Sequence, residues 1–394
     1  MRGRIVFNGN FPDEAALAGR IAEWLHDPRH ADPSVRESRR VLLVTAGWKQ
    51  DEYDEAHVKR ALAGVGIASR VVNGYDINIQ NLSAWHAFEE LQRVEPEVAR
   101  RWRARERLAD ITRGLYVEKN AFQVAHLRRA LANLHERSPS LRLGHVLADT
   151  SASFTHPPDD FDDDRLLAHF LAMGLRDSIA ALSASDDQMV ENLRVLDEHF
   201  VAATGLHFNP TWLRLRARLE ERLLEASAIF LFGGDLSALH HSLTFFRLRD
   251  AFLEALRRGA SIFAVSAGAL LLCDRIIVYN DFPSDLGPRR EFQLFDRGFG
   301  LVRQLQIFPH CMDRIQTDDE DNLSYLACRF RHRTCVGLNE ESFLLVEPSV
   351  EDDGGVRAVS VGRRDGVYVF DKLGCKRRFD HGQAVLGGGG GGRG

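Results

Sequence analysis

The sequence predicts an α/β fold of three layers, a mostly parallel sheet flanked by helices, interrupted by a large all-helical insertion. Three observations lead there. Short continuous apolar runs such as "VLLV" (41 to 44), "AIFLF" (228 to 232) and "SIFAV" (261 to 265) read as strands buried on both faces, the mark of a parallel sheet. Helical periodicities separate these runs, as crossover connections require. Between Ser83 and about Glu225 the strands vanish and only helical spacing remains.

Taken in order, "RIVFNGNF" (4 to 11) predicts a strand and "DEAALAGRIAEWLHD" (13 to 27) a helix, with Leu17, Ile21 and Leu25 on one face. "RRVLLVTAG" (39 to 47) follows as a strand, "DEAHVKRALAGVGI" (54 to 67) as a helix closed by Gly64 and Gly66, and "ASRVVNG" (68 to 74) as a strand. The insertion carries apolar series at Trp85, Phe88, Leu91 and Val94, at Leu108, Ile111 and Leu115, at Leu127, Leu131 and Leu134, and at Leu193, Leu196 and Phe200. It breaks at "SPS" (138 to 140) and "THPPDDFDDD" (155 to 164). Strands resume at "ASAIFLFGGD" (226 to 235), and "SLTFFRLRDAFLEALRRG" (242 to 259) reads as one helix ended by Gly259. "LQIFPH" (305 to 310), "TCVGLNE" (334 to 340) and "SFLLVE" (342 to 347) are further strands, and "GVRAVSVGRRDGVYVFD" (355 to 371) has the look of hairpins. The expected units are a discontinuous α/β domain over 1–75 and 226–385, a helical insertion over 76–225, and a disordered glycine-rich tail over 386–394.

Bulk properties exclude several classes. With 394 residues, 44% apolar, 27% charged and a formal net charge of -5, the chain reads as an ordinary soluble protein with no strong electrostatic bias toward nucleic acid. No leader is evident and no run is expected to reach membrane-spanning length, so the default location is cytoplasmic, without membrane association. Five cysteines without a CxxC pair argue against a disulfide framework or a zinc site. Cys311 follows a histidine of interest but reads best as a bystander.

The chemistry is carried by "AVSAG" (264 to 268), a strand end of small residue, any residue, Ser, small residue, Gly. That spacing is a nucleophile elbow: small neighbours let strand and helix approach, while the serine is held in a strained conformation with its Oγ exposed. The helix opening at Ala267 would aim free N–H groups at a developing oxyanion. The blander reading, in which Ser266 only caps that helix, explains about half of such matches. "FLFGGD" (230 to 235) offers a glycine turn whose N–H groups can complete an oxyanion hole.

"FGGD" (232 to 235), "SAGA" (266 to 269), "NDFP" (280 to 283), "FPHCMDR" (308 to 314) and "VGLNEESFLLV" (336 to 346) occur in one order. In that order they resemble the serine peptidases that include α-aspartyl dipeptidase (dipeptidase E) and cyanophycinase, built on the class I glutamine-amidotransferase-like, flavodoxin-like fold. The resemblance covers residues 1 to 75 and 226 to about 350, and neither the insertion nor the tail. It implies Ser266 as nucleophile, His310 as general base and Asp281 as the third, acidic member, with Glu340 as the alternative acid. It also implies oxyanion donors at Ala267 and at Gly234 or Asp235. A substrate carboxylate would call for a cation, and Arg314 is the nearest available in sequence. No cofactor or metal is implied. The rival bases His240 and His241 are expected at the surface of a helix.

The expected activity is serine peptidase or amidase hydrolysis of a small peptide or amide through an acyl-enzyme. The alternative is an inactive amidotransferase-like binding or regulatory protein that uses the insertion as its interaction surface. "RRWRARERLADITR" (100 to 113) could pair phosphates and stack a base on Trp102, but Glu106 and Asp110 favour a salt-bridged helix face. The associations left open are a homodimer and a protein partner on the insertion.

Overall fold

The computed structural model describes residues 2–9, 21–73, 75–148, 163–280, 291–315, 317–330, 333–339, 342–348, 356–362 and 366–386. The centre is formed by β1 (Arg4–Asn8), β2 (Val41–Val44), β4 (Ala228–Leu231) and β5 (Ser261–Val265), which bury every side chain, with β3 (Ile79–Asn81), whose Gln80 is half-buried, at the edge. They lie parallel in the order β1-β5-β4-β2-β3. β10 (Ser342–Pro348), β11 (Val356–Gly362) and β14 (Ala384–Leu386) extend the sheet antiparallel beyond β1, making eight strands of mixed direction. A second sheet orders β8 (Leu305–Pro309), β9 (Thr334–Leu338), β12 (Val367–Phe370) and β13 (Lys376–Phe379), and β6 (Arg275–Asn280) pairs with β7 (Glu291–Arg297) as a separate ribbon.

Several expectations are corrected. The apolar run at 68 to 74 supplies only a two-residue ladder, with Val71 and Val72 exposed, and the sheet edge is taken instead by Ile79–Asn81. The run at 355 to 371 contributes to two antiparallel pairings rather than one, β11 with β10 in the first sheet and β12 with β13 in the second. The helix expected over 242 to 259 breaks into α6 (Leu236–Phe245) and α7 (Arg249–Arg258) around Arg247, whose φ is 53°. Gly259 does end it, at φ 106°.

The helical region begins with α2 (Ala84–Val94), which follows α1 (Ala56–Gly64), and continues through α3 (Pro96–Arg137), α4 (Asp163–Thr204) and α5 (Pro210–Leu224). α3 and α4 are 42 residues each and run antiparallel, as the pairs Arg105–Asp197, Tyr116–Asp186 and Arg137–Asp164 show. Their apolar faces merge with the α/β core rather than standing apart. Val98, Trp102 and Phe200 join the core around β4 and β5, as do Phe88 and Trp212 of α2 and α5. Farther along, Leu127, Leu134, Leu175 and Leu182 pack with Phe308 and Leu326. The series Leu108, Ile111 and Leu115 is exposed, because α3 turns Trp102, Ala109, Tyr116 and Val124 inward instead.

One expectation about membranes is also corrected: α4 is long and apolar enough by composition to cross one, with an 18-residue window of mean hydropathy 1.2. In the fold, that helix instead lies along α3. It carries Asp186, which is fully buried against Arg329 of α9 (Glu320–Arg329), with Nη2 to Oδ1 at 2.6 Å and Nε to Oδ2 at 2.8 Å. Trp102 is likewise buried, edge-on to Phe88, Phe200 and Phe245, so its indole offers no face to a base.

Candidate active site

β5 delivers Ser266 at the C-terminal edge of the sheet, between the parallel neighbours β1 and β4. The residue sits at φ 51°, ψ −114°, a conformation that strains any side chain larger than hydrogen by about 1–3 kcal/mol. Contacts on both sides hold it there. Its N–H donates to the Asn8 carbonyl of β1 at 3.2 Å, and its carbonyl accepts from Ala269 and Leu270 as α8 (Ala267–Leu272) begins. Gly268 is required at this junction, since a Cβ there would come 2.3 Å from the Leu231 carbonyl oxygen of β4. Ala264 is fully buried and fills the first small position of the turn.

The serine hydroxyl makes no capping hydrogen bond to α8. It lies instead 3.0 Å from Nε2 of His310, 44 residues onward. His310 follows Pro309 at the end of β8, in the left-handed region at φ 53°, ψ 43°, and opens a short helix over Cys311–Arg314. The imidazole thus comes from the second sheet, and a chain of hydrogen bonds registers that sheet against the first. Asn8 Nδ2 donates to the Ser342 carbonyl at 3.0 Å, and Ser342 Oγ accepts from the Asn339 N–H at 2.8 Å. Asn339 directly follows β9, whose Leu338 is the register partner of Pro309.

The glycine turn faces the serine. A Cβ on Gly233 would lie 2.9 Å from Ser266 Cβ, and Gly234 adopts φ 116°, accessible to glycine at no steric cost. Ala267 stands at the first position of α8, where no intrahelical acceptor exists for its N–H. The Asp235 N–H, by contrast, is committed to the Gly47 carbonyl at 2.8 Å. Its carboxylate caps α6 through the Ala238 N–H at 2.9 Å and pairs with Lys49. Partial burial would raise the Asp235 carboxyl, but the hydrogen bond from Lys49 and those from backbone N–H groups outweigh it and hold it below the ordinary range. Of the two alternatives in the turn, Asp235 therefore has its N–H already engaged and acts as a brace, which leaves Gly234 as the candidate.

Asp281 and Glu340 lie outside the described residues, as does nearly all of the glycine tail, whose first member Leu386 instead ends β14. Arg314 is exposed at the end of the short helix, its N–H donating to the His310 carbonyl at 3.0 Å. Cys311 is buried against Gly337, and burial pushes its thiol up to about 12, which leaves no thiolate near neutral pH. His240 and His241 are not at the surface: they are 4% and 7% exposed, because α6 packs beneath α3 and the ribbon, where His241 Nδ1 meets Glu106 Oε2 at 2.9 Å. Among the described residues no group of three or more His, Cys, Asp or Glu side chains is arranged to hold a metal ion. Sequence reasoning missed Lys49, Asn8 and Gly233; only the paired glycines of "FGGD" carried a signal for any of them.

Comparison with known proteins places this site in context. Residues 179–350 match the sequence model of peptidase family S51. A Peptidase E of Streptomyces coelicolor is 32% identical over 151 residues, a match spanning 36% of this chain and 56% of that relative. A solved structure, that of a peptidase from an acI-B1 Actinobacterium, aligns over 98% of this chain and 97% of its own, at 14% identity and a TM-score of 0.46. The stretch that carries Ser266 and His310 is thus similar in sequence to peptidase family S51, and the chain spans little more than half the length of the curated relative it matches.

Proposed function

We propose that the protein is a serine peptidase or amidase that hydrolyses a small peptide or amide through an acyl-enzyme. The observation that supports this most directly is the 3.0 Å contact between Ser266 Oγ and His310 Nε2, made by a serine that forgoes its capping role. A neutral hydroxyl is a weak nucleophile, and an imidazole at that distance can take its proton as Oγ attacks the carbonyl carbon. The negative charge that develops on the carbonyl oxygen is met by the N–H groups of Ala267 and Gly234. His310 then delivers the proton to the leaving amine as the C–N bond breaks. Water, deprotonated by the same imidazole, hydrolyses the ester and restores Ser266.

The third member of the triad in this reading is Asp281 or Glu340, whose carboxylate would hold the imidazole tautomer and stabilise its protonated form. Arg314 is the candidate cation for a substrate carboxylate. An inactive binding protein is the weaker reading, because an idle serine would gain nothing from the strained backbone that holds it here.

The test is labelling with a fluorophosphonate probe, followed by a screen of Asp-X dipeptides, isoaspartyl peptides, polyaspartate-arginine polymer and glycine-rich peptides. Modification at Ser266, lost in Ser266→Ala and in His310→Ala, is the expected result, with turnover falling by on the order of 10⁴ to 10⁶ in each variant. Labelling that survives in Ser266→Ala, or parental turnover by that variant, overturns the reading. Comparing Asp281→Asn with Glu340→Gln assigns the acid: the triad member is the one whose loss approaches that of His310→Ala.

A further inference from the structure

A second polar cleft, of about 340 Å³, opens where α4 and α6 meet the end of β7 and the start of α7. Neither Ser266 nor His310 lines it. His240 forms its floor and is 4% exposed. The ring's Nε2 stands 3.0 Å from the Arg297 carbonyl oxygen, an atom that only accepts, so Nε2 carries the hydrogen and Nδ1 presents a lone pair. Among the described residues Nδ1 has no hydrogen-bond partner. Facing it at 4.0 Å is Oδ2 of Asp296, another acceptor, which also takes a hydrogen bond from Arg113 Nη2 at 3.3 Å. The Nδ1 lone pair and the carboxylate oxygen thus face each other, and among the described residues no donor is shared between them, an arrangement suited to a group bearing several N–H bonds.

The rim has the opposite character. Arg247 and Arg297 both line the cleft and are exposed, and among the described residues neither forms an ion pair with a carboxylate. Acceptors at the floor and unpaired guanidinium groups at the mouth match a ligand with an ammonium at one end and a carboxylate at the other. We propose that this cleft binds a free zwitterionic α-amino acid, its ammonium donating to His240 Nδ1 and Asp296 Oδ2 and its carboxylate held by Arg247 and Arg297. The volume falls within the range of small-molecule sites. This site stands independently of the catalytic reading, since it uses none of the residues around Ser266.

The experiment is titration calorimetry on the full-length Ser266→Ala chain, which removes acyl-enzyme chemistry from the readout. The probes are glycine, L-aspartate and L-arginine as zwitterions, with acetate and methylammonium as the two single-charge halves. At least one amino acid is expected to bind one per chain with a dissociation constant below about 10 mM, and each half at least about tenfold more weakly. The Arg247→Gln/Arg297→Gln double variant changes exposed side chains only. It should keep its unfolding midpoint and lose affinity by about tenfold or more. Absence of saturation by all three amino acids up to about 50 mM overturns the proposal. So does binding untouched by the double variant, which would locate the ligand elsewhere, or acetate matching the amino acids, which would reduce the cleft to an anion patch.

Discussion

Gly233 lies so close to Ser266 that a methyl group added to it would come 2.9 Å from the serine Cβ and 3.3 Å from its Oγ. Neither neighbour can yield easily, since one is set by β5 and the other by the turn that Gly47 holds through Asp235. Gly233→Ala is therefore expected to displace Oγ from His310 Nε2 while leaving the core intact. Misplacement of that size should reduce kcat/KM by about 10²-fold or more. The rate of fluorophosphonate labelling, compared with the unfolding midpoint, checks this: an unchanged labelling rate would mean that the turn relaxes around the added carbon.

The backbone of Ser266 supplies a second prediction. At φ 51°, ψ −114° an alanine is as strained as the serine, whereas glycine is not. Replacement by glycine ordinarily lowers stability relative to alanine, through the entropy of the unfolded chain. Here the order should invert, with Ser266→Gly more stable than Ser266→Ala by about 1 kcal/mol. Both variants lose turnover. Urea midpoints of the two proteins decide the matter.

The strained serine was legible before the structure because the turn needs small residues at fixed spacing, and "SAGA" supplies them. The parallel centre was legible for a similar reason: strands buried on both faces must be apolar throughout, as in "SIFAV" and "VLLV". Helix faces were harder. On α3 the conspicuous series Leu108, Ile111 and Leu115 points outward, while the buried face includes Ala109, Tyr116 and Asn120, which carry little hydrophobic signal. Partners joined across the chain were not legible at all. Asp235 could be a donor or a brace by sequence, and only the approach of Gly47 and Lys49, from the short helical turn after β2 nearly 200 residues earlier, decides it. The burial of His240 and His241 escaped notice similarly, because what covers them is α3 and the β7 ribbon.

Arg329 and Asp186 give a third prediction, about how the long helices are fixed to the sheet-bearing body. Both side chains are fully buried and joined by two hydrogen bonds, and Tyr116 Oη both donates to Asp186 at 2.6 Å and accepts from Arg329 at 2.8 Å. Removing one charge leaves the other buried without its counterion, so Asp186→Leu should cost about 3–5 kcal/mol. The double variant Asp186→Leu/Arg329→Met removes both charges and should recover a large part of that loss. Denaturant unfolding of the two proteins provides the measurement. A double variant no more stable than Asp186→Leu would show that the pair contributes through specific geometry rather than through mutual neutralisation.

His240 supplies the last prediction, on the response to acid. Burial is the main influence on the ring and lowers its pKa. The nearby Asp296 carboxylate opposes this, His241 adds to it, the hydrogen bond to the Arg297 carbonyl opposes it, and Arg113 adds to it. The outcome is a value of about 4, against 6.5 for an unperturbed histidine. In the unfolded chain the ring takes a proton near 6.5, while in the folded protein it resists protonation until about pH 4. Between those values the unfolded state binds more protons, so stability falls as the pH is lowered and levels off below the folded value. The full effect is up to about 3 kcal/mol at this one site. His240→Gln keeps a side-chain N–H for the Arg297 carbonyl and removes the titration. Its stability should therefore change less steeply than the parent's between pH 6.5 and 4, while the two curves run parallel above pH 7. Equal slopes across the acid range would mean that His240 becomes protonated in the folded protein without penalty, and that the acid sensitivity belongs to other groups.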